Sequence, residues 1–247
     1  MTAARSALIT GASRGIGLSI ARRLASQGYC LTLAARNQED LDGVAAQLRA
    51  EFGVDARGVA ADLSRPEDLA HLVQSHVDTS PGLDALVLNG GVGLLGGVER
   101  ADRERLDNVF QINFTSALLL FQHALPALRA TAANSPGTGA RVIALASILG
   151  VYPQPKLGGY AASKAALRSL MESINLEHSS AGINATAICP AYVATDMTTW
   201  LEDSITAESM IAASDIAELV ASLLALSPRA VVNEIVVSRA GTDGRMP

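Results

Sequence analysis

Ala7-Leu8-Ile9-Thr10-Gly11-Ala12-Ser13-Arg14-Gly15-Ile16-Gly17 runs from an apolar stretch through a glycine-rich turn into a helical pattern over 15–27. That order gives the glycines a purpose. They allow a tight turn and close backbone approach, and the free N–H groups opening the helix face an anion such as a pyrophosphate. The spacing is Gly-x-x-x-Gly-x-Gly rather than the Gly-x-Gly-x-x-Gly of the usual dinucleotide fingerprint. Taken alone, such a turn could equally serve only to cap a helix.

The strand-then-helix unit repeats outward from this stretch. Strands are expected at 7–10, 31–35, 56–60, 85–88, 141–146, 184–188 and 234–237, and helices at 15–27, 39–51, 66–76, 102–130, 160–179 and 215–226. Most of the apolar runs are continuous rather than alternating, as in strands covered on both faces. The alternation predicts an α/β fold, a doubly wound parallel sheet with helices on both faces. The polar stretch 131–139, with Gly and Pro, is expected to be a loop. No linker or repeat divides the 247 residues, so a single domain is expected over 1–247.

Hydrophobic residues make up 49% of the chain, enough for a sizeable core, and 19 basic against 24 acidic residues give a net charge of −5 without a Lys/Arg block. Nucleic-acid and anionic-membrane roles are therefore not expected. Residues 109–128 are uncharged and about long enough to span a bilayer. Gln111, Asn113, Gln122, His123 and Pro126 interrupt the stretch, which reads instead as a buried or interface helix. Cys30 and Cys189 lie in strand-like runs and read as small buried hydrophobes. A first strand within about five residues of Met1 leaves no room for a signal peptide, and a cytoplasmic location is expected.

The end of the second strand is where an acid would favour NAD and a basic group a 2′-phosphate. Here it reads Ala34-Ala35-Arg36-Asn37 without a carboxylate, and Arg14 lies in the glycine turn. Two guanidiniums can bracket a phosphate, so NADP(H) is expected rather than NAD(H). Asp62-Leu63, ending the third strand, could meet the adenine, although Asp62 could also cap the next helix. Asn89-Gly90-Gly91, after the fourth strand, could admit the cofactor ribose.

Tyr160 and Lys164 stand four residues apart in Tyr-Ala-Ala-Ser-Lys, with Ser147 thirteen residues upstream at the end of an apolar run. Positions i and i+4 share a helix face, so an ammonium could sit near a phenol and favour its ionised form. Unit charges about 5 Å apart interact by roughly 3 kcal/mol at an effective dielectric near 20, or about two pKa units. A phenol so tuned could protonate the alkoxide left by carbonyl reduction. Ser147 would orient the carbonyl oxygen, and Lys164 could also hold the nicotinamide ribose.

In these residues the chain resembles the short-chain dehydrogenase/reductases of the compact, single-domain type. The matching set is Thr10 to Gly17, Asn89-Gly90-Gly91, Asn113, Ser147, Tyr160 with Lys164, and Pro190 to Thr195. The resemblance implies a seven-stranded Rossmann-like sheet and an Asn113-Ser147-Tyr160-Lys164 tetrad, with Asn113 securing a water in a proton relay from Lys164. It further implies cofactor contacts from Gly11, Ser13, Arg14, Gly15, Ile16, Gly17, Pro190, Val193 and Thr195. It also implies a homodimer or homotetramer built on the two long helices, the stretch around Leu118-Leu119-Leu120 fitting an interface. Three positions depart from the family pattern: Leu88 for an Asn, Ala191 for a Gly after Pro190, and Val237-Ser238-Arg239-Ala240-Gly241 in place of an Asp-Gly-Gly ending.

Residues 191–214 occupy the place of a substrate lid and carry Met197, Trp200, Leu201, Ile205, Met210 and Ile211, which could close over an apolar substrate. Ile148, Leu149, Tyr152 and Tyr192 are expected in the pocket wall. No Arg or Lys is expected to project into it, which favours a small uncharged ketone, aldehyde or alcohol. Two other classes stay open: a dinucleotide-binding redox sensor with vestigial catalysis, and a cofactor-free lyase-type relative. The retained Tyr-Lys pair speaks against the first, and the three glycines with Lys164 against the second.

Overall fold

The computed structural model describes residues 4–80, 82–201 and 205–247. Seven strands, β1 (Ser6–Thr10), β2 (Cys30–Ala35), β3 (Ala56–Ala60), β4 (Ala85–Leu88), β5 (Ala140–Leu145), β6 (Ile183–Pro190) and β7 (Glu234–Val237), form one all-parallel sheet in the order β3-β2-β1-β4-β5-β6-β7. The helices are α1 (Gly15–Ala25), α2 (Gln38–Phe52), α3 (Pro66–Val77), α4 (Arg103–Phe110), α5 (Ser116–Asn134), α6 (Gly158–His178) and α7 (Ala213–Ala225).

Side chains alternate between the two faces of each strand, so the sheet separates two cores. Ala7 and Ile9 of β1 and Val87 of β4 pack with Leu24 of α1, Leu48 of α2 and Val220 of α7. Leu8 and Leu86 pack on the opposite side with Leu72 of α3, Leu120 of α5 and Met171 of α6. Parallel strands bring all the C-terminal strand ends to one edge. The order reverses between β1 and β4, which opens a crevice at that edge.

Several boundaries have local causes. Pro66 occupies the first turn of α3, where its missing N–H has no partner to lose. Asn37 caps α2 by accepting from the Glu39 N–H at 3.0 Å. The helix expected over 102–130 is two α-helices joined by a π-helical turn, Gln111–Thr115. The expected 131–139 loop starts later, because α5 continues to Asn134. Buried Thr131 accepts the Leu83 N–H at 2.9 Å, and Ala132 packs in the core. Cys189 is buried as expected, but Cys30 is only half-buried. Leu120 faces the core, while Leu118 and Leu119 are half-buried. Among the described residues no helix is long and apolar enough to cross a membrane.

Candidate active site

At the β1/β4 crevice the glycine turn is built around Gly17. A Cβ there would lie 2.2 Å from the Gly11 carbonyl oxygen, so only glycine lets α1 start this close to the turn. Thr10 and Asn89 lock the turn to β4. The Thr10 hydroxyl accepts the N–H groups of Asn89 and Gly90 at 3.0 Å each, and Asn89 Nδ2 donates to the carbonyls of Thr10 and Gly11 at 3.0 Å each. Asn89 thus supplies an anchor at the strand end where Leu88 departs from the family pattern. No side chain caps α1 and no acid lies in its first turn. Its N–H groups and dipole are left as an anion-binding end beside Ser13 and half-buried Ile16.

The flanking candidates are placed unevenly. Arg36 is exposed at the end of β2 and helps hold the Asp62 carboxyl below its usual range, a smaller influence than the hydrogen bonds from Ser64. Asp62 itself turns back to accept from the Ser64 N–H at 2.9 Å and the Ser64 hydroxyl at 2.8 Å. Leu63 packs against Gly90. Arg14, expected to face a phosphate with Arg36, pairs here with Asp196 at 3.0 Å. Pro190 ends β6, Val193 is buried in the core, and the Thr195 side chain stands against Gly15, so the start of the 191–214 segment borders the glycine turn.

One step along the sheet edge, Ser147 follows β5 and Tyr160 and Lys164 lie one turn apart on α6. Ser147 lies beside the Tyr160 phenol, and its side-chain oxygen accepts the Leu149 N–H at 3.2 Å. Lys164, 4% exposed, donates to the Leu145 carbonyl at 2.8 Å, with its Nζ 5.8 Å from the Tyr160 ring centroid. Gly91 packs against both Lys164 Nζ and Asn113 Oδ1, so all four candidate catalytic residues share one locality. Asn113 lies in the π turn. Its Oδ1 accepts the Val92 N–H at 2.8 Å, and its Nδ2 donates to the Val92 carbonyl at 2.9 Å and the Ser163 hydroxyl at 3.0 Å. Its amide is thus engaged by protein groups, within a turn whose π geometry disturbs the helical hydrogen-bond ladder.

The expected downward shift of the phenol by Lys164 is not found. Burial pushes Tyr160 up to about 12, opposed by neighbouring Ser147. Burial also brings Lys164 down to about 8, opposed by nearby Cys189. The ammonium is turned to the Leu145 carbonyl, and desolvation outweighs its attraction for a phenolate.

Arg245 lies 5.9 Å from the centroid of the Tyr152 ring and Arg239 5.9 Å from that of Tyr192. Residues beyond β7 fold back over the sheet edge, a return that sequence order alone does not signal. In the 191–214 segment, Ile211 packs into the core and Met210 is buried, whereas Met197 is 55% exposed. Residues 202–204 and the side chains of Trp200 and Leu201 lie outside the described residues. Ser163 joins the site without having been singled out by the sequence pattern; its place in the motif, three residues after Tyr160, was the available signal. Its hydroxyl donates to the Tyr160 carbonyl at 2.7 Å while accepting from Asn113.

A family model described as short chain dehydrogenase matches residues 5–205. A 3-oxoacyl-(acyl-carrier-protein) reductase of Staphylococcus aureus is 31% identical over 206 residues, covering 83% of this chain and 81% of the relative. The solved Pseudomonas aeruginosa RhlG/NADP active-site complex superposes with a TM-score of 0.86 at 29% identity, covering 96% of this chain and 95% of that one. An alcohol dehydrogenase from Thermococcus sibiricus, complexed with 5-hydroxy-NADP, gives 0.84 at 26% identity, covering 96% and 97%.

Proposed function

The chain belongs to the short-chain dehydrogenase family of oxidoreductases, and on that premise we propose that it is an NADP(H)-dependent enzyme interconverting a small ketone or aldehyde with its alcohol. The observation that carries this reading is Tyr160 beside Ser147 and one helical turn from Lys164, at the same sheet edge as the uncapped start of α1. The cradle at Gly17, too close to the Gly11 carbonyl for any side chain, fits a dinucleotide pyrophosphate. Gly11, Ser13, Gly15 and Ile16 would form the rest of that cradle. Arg14 and Arg36 would hold the 2′-phosphate, Asp62 and Leu63 would border the adenine, and Gly90, Pro190, Val193 and Thr195 would border the nicotinamide half. When bound, the reduced cofactor supplies a hydride.

The chain's own residues do the rest. Ser147 donates a hydrogen bond to the substrate oxygen and aligns it beside the Tyr160 hydroxyl. Tyr160, fully protonated at neutral pH with a pKa near 12, gives its proton as negative charge develops on that oxygen. Lys164, with a pKa of about 8, is charged at neutral pH and stands ready to return a proton to the phenolate. Asn113 holds Val92 and the π turn in place beside Lys164. The chain acts as one domain, with 191–214 closing over the substrate.

The test is NADPH binding together with NADPH consumption over a panel of aldehydes, ketones, quinones and 3-oxoacyl thioesters. Binding with turnover of at least one carbonyl is expected. Absence of NADPH binding would overturn the reading. Arg36→Ala should weaken NADPH far more than NADH, and equal effects would overturn the cofactor preference.

A further inference from the structure

Four residues beyond Lys164, on the same face of α6, Arg168 makes contacts that the proposed chemistry does not use. Its Nε pairs with Glu234 on β7, and its Nη1 donates to the Gly150 carbonyl at 2.8 Å. The Cys189 side chain on β6 lies near its guanidinium. The ion pair is largely enclosed, with the two side chains 29% and 27% exposed. Cys189 is fully buried beside Ser147.

These contacts converge on one short segment. The 147–150 turn follows β5 and carries the Ser147 hydroxyl. Its end is held directly, through the Gly150 carbonyl. Its beginning is tied in by the Ser147 oxygen, which accepts the Leu149 N–H within the turn. The turn also lies flush on α6, since a Cβ on Gly150 would stand 2.9 Å from the Lys164 carbonyl carbon and 3.0 Å from the Ala165 nitrogen. No side chain could enter that contact without parting the turn from the helix that carries Tyr160 and Lys164.

We propose that Arg168 is a positioning residue for this site: braced by Glu234, it grips the Ser147–Gly150 turn at Gly150 and so fixes the Ser147 hydroxyl against Tyr160. The proposal rests on the carbonyl-reducing function given above. Burial keeps the Cys189 thiol up at about 12, so the nearby sulfur is a neutral neighbour and not a nucleophile. Glu234 fixes the guanidinium, and a fixed guanidinium can direct its several N–H donors at once, which an ammonium on a flexible stem cannot.

The experiment compares Arg168→Met, Arg168→Lys and Ser147→Ala as single variants, together with the double variant that joins Arg168→Met to Ser147→Ala. In the free protein, Arg168→Met should raise amide hydrogen exchange over 147–152 about tenfold, while β6 stays protected. With NADPH and a substrate from the panel it should lower kcat about 10- to 100-fold, leaving NADPH affinity and KM within about twofold. Arg168→Lys should recover part of that loss. In the Ser147→Ala background Arg168→Met should cost little more, because the hydroxyl that Arg168 positions is gone. Unchanged exchange over 147–152 would overturn the proposal whatever the activity, and so would an equal kcat loss in both backgrounds. A wild-type protein that reduces no carbonyl would defeat the functional reading instead, while the exchange measurement would still decide the grip on the turn.

Discussion

Arg14 Nη1 lies 3.0 Å from Asp196 Oδ2, joining the glycine turn to the first turn of the 191–214 segment across 182 positions of sequence. Under the proposed function the same guanidinium serves a 2′-phosphate, so Asp196 competes for it. Both side chains are well exposed, and such pairs contribute at most about 1 kcal/mol. Asp196→Asn should therefore tighten NADPH by about two- to fivefold at low salt and leave NADH unchanged. Calorimetric titration of both cofactors checks this, and the gain should shrink as salt is raised. Equal gains for the two would break the link to the phosphate.

Tyr160→Phe removes the proton donor but keeps the ring. Turnover should fall by about three orders of magnitude or more, with NADPH affinity within about threefold of wild type. Steady-state rates and fluorescence titration report the two quantities separately, and near-normal turnover would remove Tyr160 from the chemistry.

Lys164 at about 8 and Tyr160 near 12 leave one group to titrate between neutrality and pH 10. The Lys164 pKa is depressed, so the ammonium is present below about 8 and lost above it. Carbonyl reduction should decline as pH rises through about 8. Lys164→Arg, charged throughout that range, should be slower but lack this limb. A limb that persists unchanged in the arginine variant would belong to another group.

His76 is fully buried, with Nδ1 2.9 Å from the Thr32 hydroxyl and Nε2 2.9 Å from the Gly82 carbonyl. Burial lowers its pKa, opposed by the Gly82 hydrogen bond, while Arg57 adds to the lowering. The folded form therefore resists a proton that the unfolded chain accepts near pH 6.5. Stability should be full above about 6.5 and fall below it, by up to about 1.4 kcal/mol per pH unit, until the folded form also protonates. Urea midpoints between pH 8 and 5 follow this. His76→Gln should lower stability overall and flatten that slope, and an unaltered slope would exonerate the histidine.

The parallel sheet was legible because continuous apolar runs separated by helical patterns have few other solutions, and β3, β4 and β7 have the expected bounds. The Tyr160–Lys164 spacing was legible because helix geometry alone makes i and i+4 neighbours. Contacts between distant segments were not. Arg168 meets Glu234 across 66 residues, and the tail returns Arg245 to Tyr152. Nothing local marks either partner. Thr131 fell in the expected loop because the stretch 131–139 is polar with Gly and Pro, yet its hydroxyl satisfies the buried Leu83 N–H. The phenol was misjudged for a related reason: spacing gives the distance between two charges but not how much water surrounds them.

The π turn at Gln111–Thr115 acts on the helix pair as a phase shifter. It admits one more residue per turn than an α-helix, and one residue corresponds to about 100° of rotation and 1.5 Å of rise. Val109, the buried residue of α4, and Asn113 and Ser116 beyond it are buried on either side of and within this turn. Deleting one residue here would swing Arg103, Glu104, Arg105 and Asp107 around the axis together and leave Asn113 out of register with Val92. The segment tolerates sequence change far better than a change in length.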